Sequence, residues 1–357
     1  MTEDDAGLRT RLQLFPIEPL ISRPTPIGLL DNLSSRLKGP EIYIKRDDLT
    51  GLAFGGNKSR KLEYILPDML AKNADTVVTW ASVQSNWCLQ TAAAARKFGI
   101  NPVLLLFKTH DFPNEPDGNL LLDHILGAEV RIMDAEPGKI ISEEDIRGVM
   151  DELVREIMEW GYQTYVVPIG GSKPGWSMEK PLGALAYVDA YLELREQLSN
   201  RDVTPDYIIH ASGSGGTQAG LTLAAGILNP KIKVLGISVS EKPKEYEEEI
   251  WEIIQDTAEA LELKTNISRE NIHILDDYVG KGYGILDKPV TDAIRITAET
   301  EGIFLDPAYT GKAMAGLLDL VQEGYFNKSD RIVFWHTGGT AALFPNKRDL
   351  MKYLSPG

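Results

Sequence analysis

From residue 76 to residue 167 the chain alternates between short apolar runs and longer segments whose apolar residues fall at helical spacing. Thr76-Val77-Val78-Thr79-Trp80, Pro102-Val103-Leu104-Leu105-Leu106-Phe107, Glu129-Val130-Arg131-Ile132-Met133 and Thr164-Tyr165-Val166-Val167 have the length and β-branched content of strands. Between them, 86–98 carries an Ala-rich face, and 119–126 and 143–160 repeat leucine, isoleucine, valine and methionine at helical spacing. Strands alternating with helices predict a parallel sheet covered on both faces.

The flanking sequence follows the same rule. Residues 41–47 alternate like a strand, and a Gly-bearing loop leads into a helix from about 58 to 72, with Leu62, Ile65, Leu66 and Met69 on one side. A Gly/Pro-rich joint at 168–175 precedes a helix over 182–198, a strand at 207–210, a Gly-rich loop at 211–217 and a helix to 227. A strand at 234–239, an acidic helix over 241–262 and a last strand at 331–335 complete the pattern, which assigns no element between 263 and 330. The expected fold is α/β: two open, twisted, mostly parallel-sheet lobes with helices on both faces and a cleft between them.

Composition narrows the partners. A length of 357 residues suits two lobes. Fifty-two acidic residues against 37 basic ones give a net charge of −15, which disfavours nucleic acid and anionic membrane surfaces. No apolar run approaches the ~20 residues of a membrane span, and Met1-Thr2-Glu3-Asp4-Asp5 lacks the basic start of a secretion signal. A cytoplasmic location is expected. Cys88 is the single cysteine, so no intramolecular disulfide can form. With one cysteine, and with His110, His124, His210, His273 and His336 in no ligand spacing, no metal site is expected.

Several short stretches have the residue types that chemistry needs. Ser212-Gly213-Ser214-Gly215-Gly216-Thr217 lies between a strand and a helix, where unpaired N–H groups and the helix dipole suit a phosphate. A tight strand–helix turn would read the same way. Lys58, after Gly55-Gly56-Asn57, sits at a helix start whose dipole disfavours an ammonium, and a Schiff-base lysine needs a neutral amine; an exposed lysine at a helix end is the plain alternative. Ser85 and Asn86 are good helix caps and could also receive a carboxylate. Tyr283 and Tyr309 stand in loops rich in turn formers, although a buried tyrosine more often packs. His336-Thr337-Gly338-Gly339-Thr340 follows the last strand, at the end where open α/β sheets bind ligands.

Taken in order, Asn57-Lys58-Ser59-Arg60-Lys61-Leu62-Glu63, Gln84-Ser85-Asn86, Gly213 to Gly220, Tyr283-Gly284 and Asp306-Pro307-Ala308-Tyr309-Thr310-Gly311-Lys312 resemble the D-cysteine desulfhydrase and 1-aminocyclopropane-1-carboxylate deaminase family. Those are fold type II pyridoxal-phosphate enzymes related to the tryptophan synthase β subunit, and the resemblance runs from about Pro24 to Phe344. It implies pyridoxal 5'-phosphate in the cleft and a small amino acid as substrate. Lys58 would carry the cofactor and act as base at the α-carbon. Ser214, Gly215, Gly216 and Thr217 would hold the phosphate. Asn86 would bond the phenolic oxygen, and Ser85, Asn86 and the Trp87 N–H would receive the substrate carboxylate. Tyr309 would lie against the ring, Tyr283 would reach the substrate, and Thr310 or Thr337 would face the ring nitrogen. A large cofactor-binding domain of residues 1–60 and 178–357, a small domain of 61–177 and a homodimer are also implied.

Thr310 and Thr337 match the desulfhydrase branch; the deaminase branch has Glu and Leu there. The desulfhydrases have His where this chain has Trp87, which is expected to fill space beside the carboxylate pocket. The reaction implied is α,β-elimination on D-cysteine. Other readings are elimination on cysteate, β-chloro-D-alanine or diaminopropionate, ring opening of 1-aminocyclopropane-1-carboxylate, and cofactor or amino-acid binding without turnover. The Gly-rich loop alone would also suit a nucleotide-binding protein.

Overall fold

In a computed structural model, which describes residues 3–109, 115–136, 141–240 and 243–354, the strands gather into two sheets. They are β1 (Ile27–Leu29), β2 (Glu41–Arg46), β3 (Thr76–Ser82), β4 (Asn101–Lys108), β5 (Glu129–Asp134), β6 (Thr164–Val166), β7 (Tyr207–Ser212), β8 (Lys233–Ser238), β9 (His273–Leu275) and β10 (Arg331–His336). The helices are α1 (Glu3–Leu12), α2 (Asp31–Leu37), α3 (Asn57–Ala71), α4 (Asn86–Lys97), α5 (Gly118–Ile125), α6 (Glu143–Glu159), α7 (Leu182–Ser199), α8 (Gly216–Leu228), α9 (Pro243–Ala260), α10 (Lys288–Glu301), α11 (Thr310–Gln322) and α12 (Lys347–Leu354). One sheet has the order β1-β2-β10-β7-β8-β9 and the other β5-β4-β3-β6. Only the β1–β2 pairing is antiparallel among these neighbours. The expected α/β architecture is therefore present, with β1 as an antiparallel edge.

The elements read from periodicity fall within about two residues of their observed bounds, apart from the strands at 76–80 and 207–210, which extend two residues further. His110 and the start of the acidic segment, Glu241-Lys242, lie outside the described residues. The stretch without assigned elements contains β9, α10 and α11. Asp287 caps α10 by accepting the Val290 N–H, and Gly302 closes it in the left-handed conformation.

Three apolar clusters hold the layers. One joins α3, α4, α7, α8 and α9 to side chains of both sheets, including Leu104 and Leu106 of β4, Ile208 of β7 and Val333 of β10. A second fills the outer face of the larger sheet beneath α10 and α11, and a third lies between the smaller sheet and α6. α3 carries Pro67 in its interior, which leaves the Glu63 carbonyl without its helical donor. The Glu18 N–H supplies one at 2.9 Å, so the chain entering from α1 completes the helix.

Candidate active site

The carboxyl ends of β3, β7, β8 and β10 converge on a cavity of about 480 Å³, within the size range of small-molecule sites. β10 delivers Thr337 and Gly338 to it, and α3 begins directly opposite. Gly56 and Gly338 form an isolated antiparallel bridge, and the Asn57 N–H donates to the Thr337 carbonyl at 3.0 Å. Gly338 has φ 91°, and a Cβ there would lie 2.7 Å from the Gly56 Cα. Close approach and backbone conformation both demand glycine, and together they aim the first turn of α3 into the cavity.

That turn carries two lysines. Lys58 is half-buried and Lys61 is 1% exposed. Both line the cavity, and neither bonds a carboxylate among the described residues. Burial lowers the Lys58 ammonium to about 8. Burial and then the charge of Lys58 push Lys61 well below the ordinary lysine range. A Cβ added to Gly216 would stand 3.2 Å from Lys61 Nζ, so this amine adjoins the glycine loop. Sequence reasoning missed it as a site residue. Its signal was helical spacing, since Lys61 lies one turn beyond Lys58.

The segment is anchored from behind. Asp47, fully buried, accepts from both Arg60 Nε and Nη2, from Tyr187 Oη, from Trp335 Nε1 and from Thr25 Oγ1. Burial raises a carboxyl, but the Arg60 guanidinium and these donors hold Asp47 below the usual carboxylate range. Glu193 joins Arg60 to Lys45 on β2. These contacts tie α3 to β2, α7 and β10.

The loop after β7 contributes Gly213, Ser214, Gly215 and Thr217 to the lining. Gly215 has φ 75° and precedes α8. Gly216, the first residue of α8, is not in the lining: its N–H reaches Ser214 O at 2.9 Å and Ser172 Oγ at 3.2 Å. Asn57 Nδ2 reaches Thr217 Oγ1 at 3.3 Å, linking the two loops.

At the end of β3, Ser85 caps α4, its Oγ accepting the Cys88 N–H at 3.1 Å. Asn86 Oδ1 accepts from Asn119 Nδ2 at 2.8 Å, which leaves its amide nitrogen as a donor. Trp87 lines the cavity, and its indole sits in the core with Nε1 donating to Thr79 Oγ1 of β3 at 2.7 Å. Burying the large ring against the sheet outweighs leaving it in a polar pocket. Trp80, from the opposite face of the strand, also lines the cavity and packs against Trp176 with centroids 6.0 Å apart.

Tyr283 and Tyr309 line the other wall with their hydroxyls 2.6 Å apart and rings at 76°. The Asp306 carboxylate accepts the N–H groups of Ala308, Tyr309 and Thr310, fixing that turn. The expectation for Thr310 needs correction. Its hydroxyl donates to Asp306 Oδ1 at 2.7 Å and accepts the Asp306 N–H, and the residue is fully buried outside the lining. Thr337 is the threonine of the pair that lines the cavity. The described residues contain no cluster of three metal-ligating side chains.

Two amines without acidic partners among the described residues, one buried and one half-buried, stand beside a glycine loop at a helix start, a cradle that fits an anionic group bearing an electrophilic carbon. Pyridoxal phosphate has both features.

Comparison with known proteins agrees. A family model described as pyridoxal-phosphate dependent enzyme matches residues 19–338. The chain is 40% identical over 336 residues to a D-cysteine desulfhydrase of Klebsiella pneumoniae subsp. pneumoniae, covering 93% of this chain and 97% of that protein. A D-cysteine desulfhydrase of Salmonella choleraesuis is 39% identical with the same coverage. The crystal structure of an ACC deaminase homologue superposes with a TM-score of 0.87 at 38% identity, covering 99% of this chain and 100% of that one. Diaminopropionate ammonia lyase of Escherichia coli shares the fold, with a TM-score of 0.64 at 17% identity over 99% of this chain and 90% of that one.

Proposed function

Because the chain belongs to the family of pyridoxal-phosphate dependent enzymes, we propose that it catalyses α,β-elimination on D-cysteine, giving pyruvate, sulfide and ammonia. The observation that carries this reading is the meeting, in one cavity, of Lys58 and Lys61, the glycine loop and the Ser85–Asn86 helix start. The near full-length relatives described as D-cysteine desulfhydrases support the substrate. When bound, pyridoxal phosphate supplies an electrophilic carbon for an amine and a conjugated ring that delocalises charge left at the α-carbon.

The chain's residues supply the rest. Ser214, Gly215 and Thr217 would hold the phosphate beside Lys61, while the Gly216 N–H is taken by Ser214 O and Ser172 Oγ. The Asn86 amide nitrogen would serve the phenolic oxygen, Tyr309 the ring and the Thr337 hydroxyl the ring nitrogen. Ser85, Asn86 and the Trp87 N–H receive the substrate carboxylate at the positive end of α4. Lys58 would hold the cofactor through its amine and would serve as the base for the α-proton. Its pKa of about 8 leaves a useful neutral fraction near pH 7. Tyr283, hydrogen-bonded to Tyr309, stands on the substrate side.

Residues 1–60 and 178–357 form the cofactor-binding domain in this reading, and 61–177, which includes β3 to β6, the small one. A homodimer rests on the family resemblance, and a cytoplasmic location on the sequence reading alone. No helix among the described residues is long and apolar enough to cross a membrane.

A substrate panel tests the proposal. Purified protein with bound cofactor should release pyruvate and sulfide from D-cysteine. Release of neither sinks that substrate, and pyruvate from cysteate, β-chloro-D-alanine or diaminopropionate instead reassigns the leaving group. Release of 2-oxobutyrate from 1-aminocyclopropane-1-carboxylate makes it a ring-opening deaminase. A change of the cofactor's colour with amino acids but no product makes it a binding protein.

A further inference from the structure

Lys312 lies in the first turn of α11, where a helix dipole disfavours an ammonium, and it is 1% exposed. Its Nζ donates to Gly282 O at 2.6 Å, Val279 O at 2.7 Å and Val239 O at 3.3 Å. Among the described residues no carboxylate bonds it directly; Asp287 and Asp306 act on it from further away. Burial lowers it to about 8 against the pull of those two acids, so it carries a charge at neutral pH. An ammonium has three donors, and all three end on backbone carbonyls. Carbonyl oxygens gathered in this way are the surroundings that replace the water shell of a potassium ion.

The carbonyls belong to two segments that line the cavity. Val239 follows β8 and lines it directly, and Gly282 precedes Tyr283. Lys312 itself follows Tyr309 by three residues. One buried ammonium therefore fastens the Tyr283 loop, the end of β8 and the start of α11, the pieces that bring the two phenols to 2.6 Å.

We propose that Lys312 is a tethered monovalent cation that holds Tyr283 in place for the reaction, making it a positioning residue. This rests on the reading above that places Tyr283 on the substrate side. A free cation should then replace it when the side chain is removed, because Lys312→Ala leaves the carbonyls together with space for an ion.

The test uses the holoenzyme and its Lys312→Ala variant in potassium, ammonium and lithium chloride at equal ionic strength. The variant should keep its cofactor absorbance, lose at least 30-fold in kcat and change less than threefold in KM. Potassium or ammonium should restore at least fivefold of kcat and raise the variant's melting temperature relative to lithium, while the wild type responds to none of them. Lys312→Met fills the space with an apolar chain and should be inactive in every salt. Cation-independent activity and melting of the Ala variant, or rescue of the Met variant to the same extent, overturns the proposal. If Lys312→Ala does not fold in lithium, recovery of folded protein in potassium decides in favour and equal failure in all salts decides against. The melting readout needs no substrate, so an enzyme inactive on D-cysteine refutes the substrate reading without touching this one.

Discussion

Lys61 of α3 and Asp123 of α5 are ionisable groups placed where charge is costly, and each has a distinct consequence. Lys61 has no acidic partner among the described residues and adjoins the glycine loop. Lys61→Met removes a buried amine that the proposed function sets beside the phosphate. The cofactor-free variant should be at least as stable as wild type. Its cofactor affinity should fall about 10- to 100-fold, the value of one charge-assisted hydrogen bond, as read by titration of the visible band. Unchanged affinity would remove Lys61 from the phosphate site.

Asp123 on α5 is fully buried, and neither of its carboxylate oxygens has a hydrogen-bond partner. Burial raises it from 3.8 to about 8. Between those values the unfolded chain has released this proton and the folded chain keeps it, so stability falls as pH rises through that window. Asp123→Asn should therefore match wild type near pH 4 and exceed it by roughly 5 kcal/mol at pH 8. Denaturant midpoints at the two pH values measure this, and an equal difference at both contradicts it.

At the scale of elements, two loops depend on each other through glycines. Gly338→Ala puts a methyl group 2.7 Å from the Gly56 Cα at φ 91°. It should cost about 2–3 kcal/mol and weaken cofactor binding by shifting the Lys58 turn. Gly161 has the same φ of 91° with nothing within 4 Å of a Cβ, so Gly161→Ala isolates the backbone term, about 1 kcal/mol. Equal losses in the two variants would deny the Gly56–Gly338 packing any role.

Element by element, legibility followed local signals. Strands of six or more residues and long amphipathic helices declare themselves by period. β1 and β9, three residues each, are too short to show one. The start of α10 was marked by Asp287, Pro289 and its far end by Gly302, but α11 begins at Tyr309–Thr310 without a side-chain cap, inside a run that reads as a turn. Site residues next to glycines were legible for the same local reason. The roles of Lys61, Asp47 and Lys312 were not, since each depends on partners far away in sequence. Thr310 was misplaced because spacing does not say which neighbour a side chain prefers.

For the molecule as a whole, the site draws on strands of both sheets, so a ligand that bridges them stabilises both. Pyridoxal phosphate at 100 times its apparent Kd should add about 2.7 kcal/mol to unfolding, visible as a rise in melting temperature with added cofactor. In Lys61→Met the same concentration should give a smaller rise. The net charge of −15 has no part in this, because the cradle is locally positive while the surface is acidic.

Glu63 meets the entering chain twice more: its carboxylate accepts the N–H groups of Leu20 and Ile21 at 2.8 and 3.1 Å, while its carbonyl takes the Glu18 N–H. The stretch before β1 thus acts as a splint for the helix that bears Lys58. For anyone trimming the protein for crystallisation or fusing it to a partner, residues 18–21 are off limits: a shortened gene that begins after them encodes an α3 with an open seam at Pro67, nine residues from Lys58.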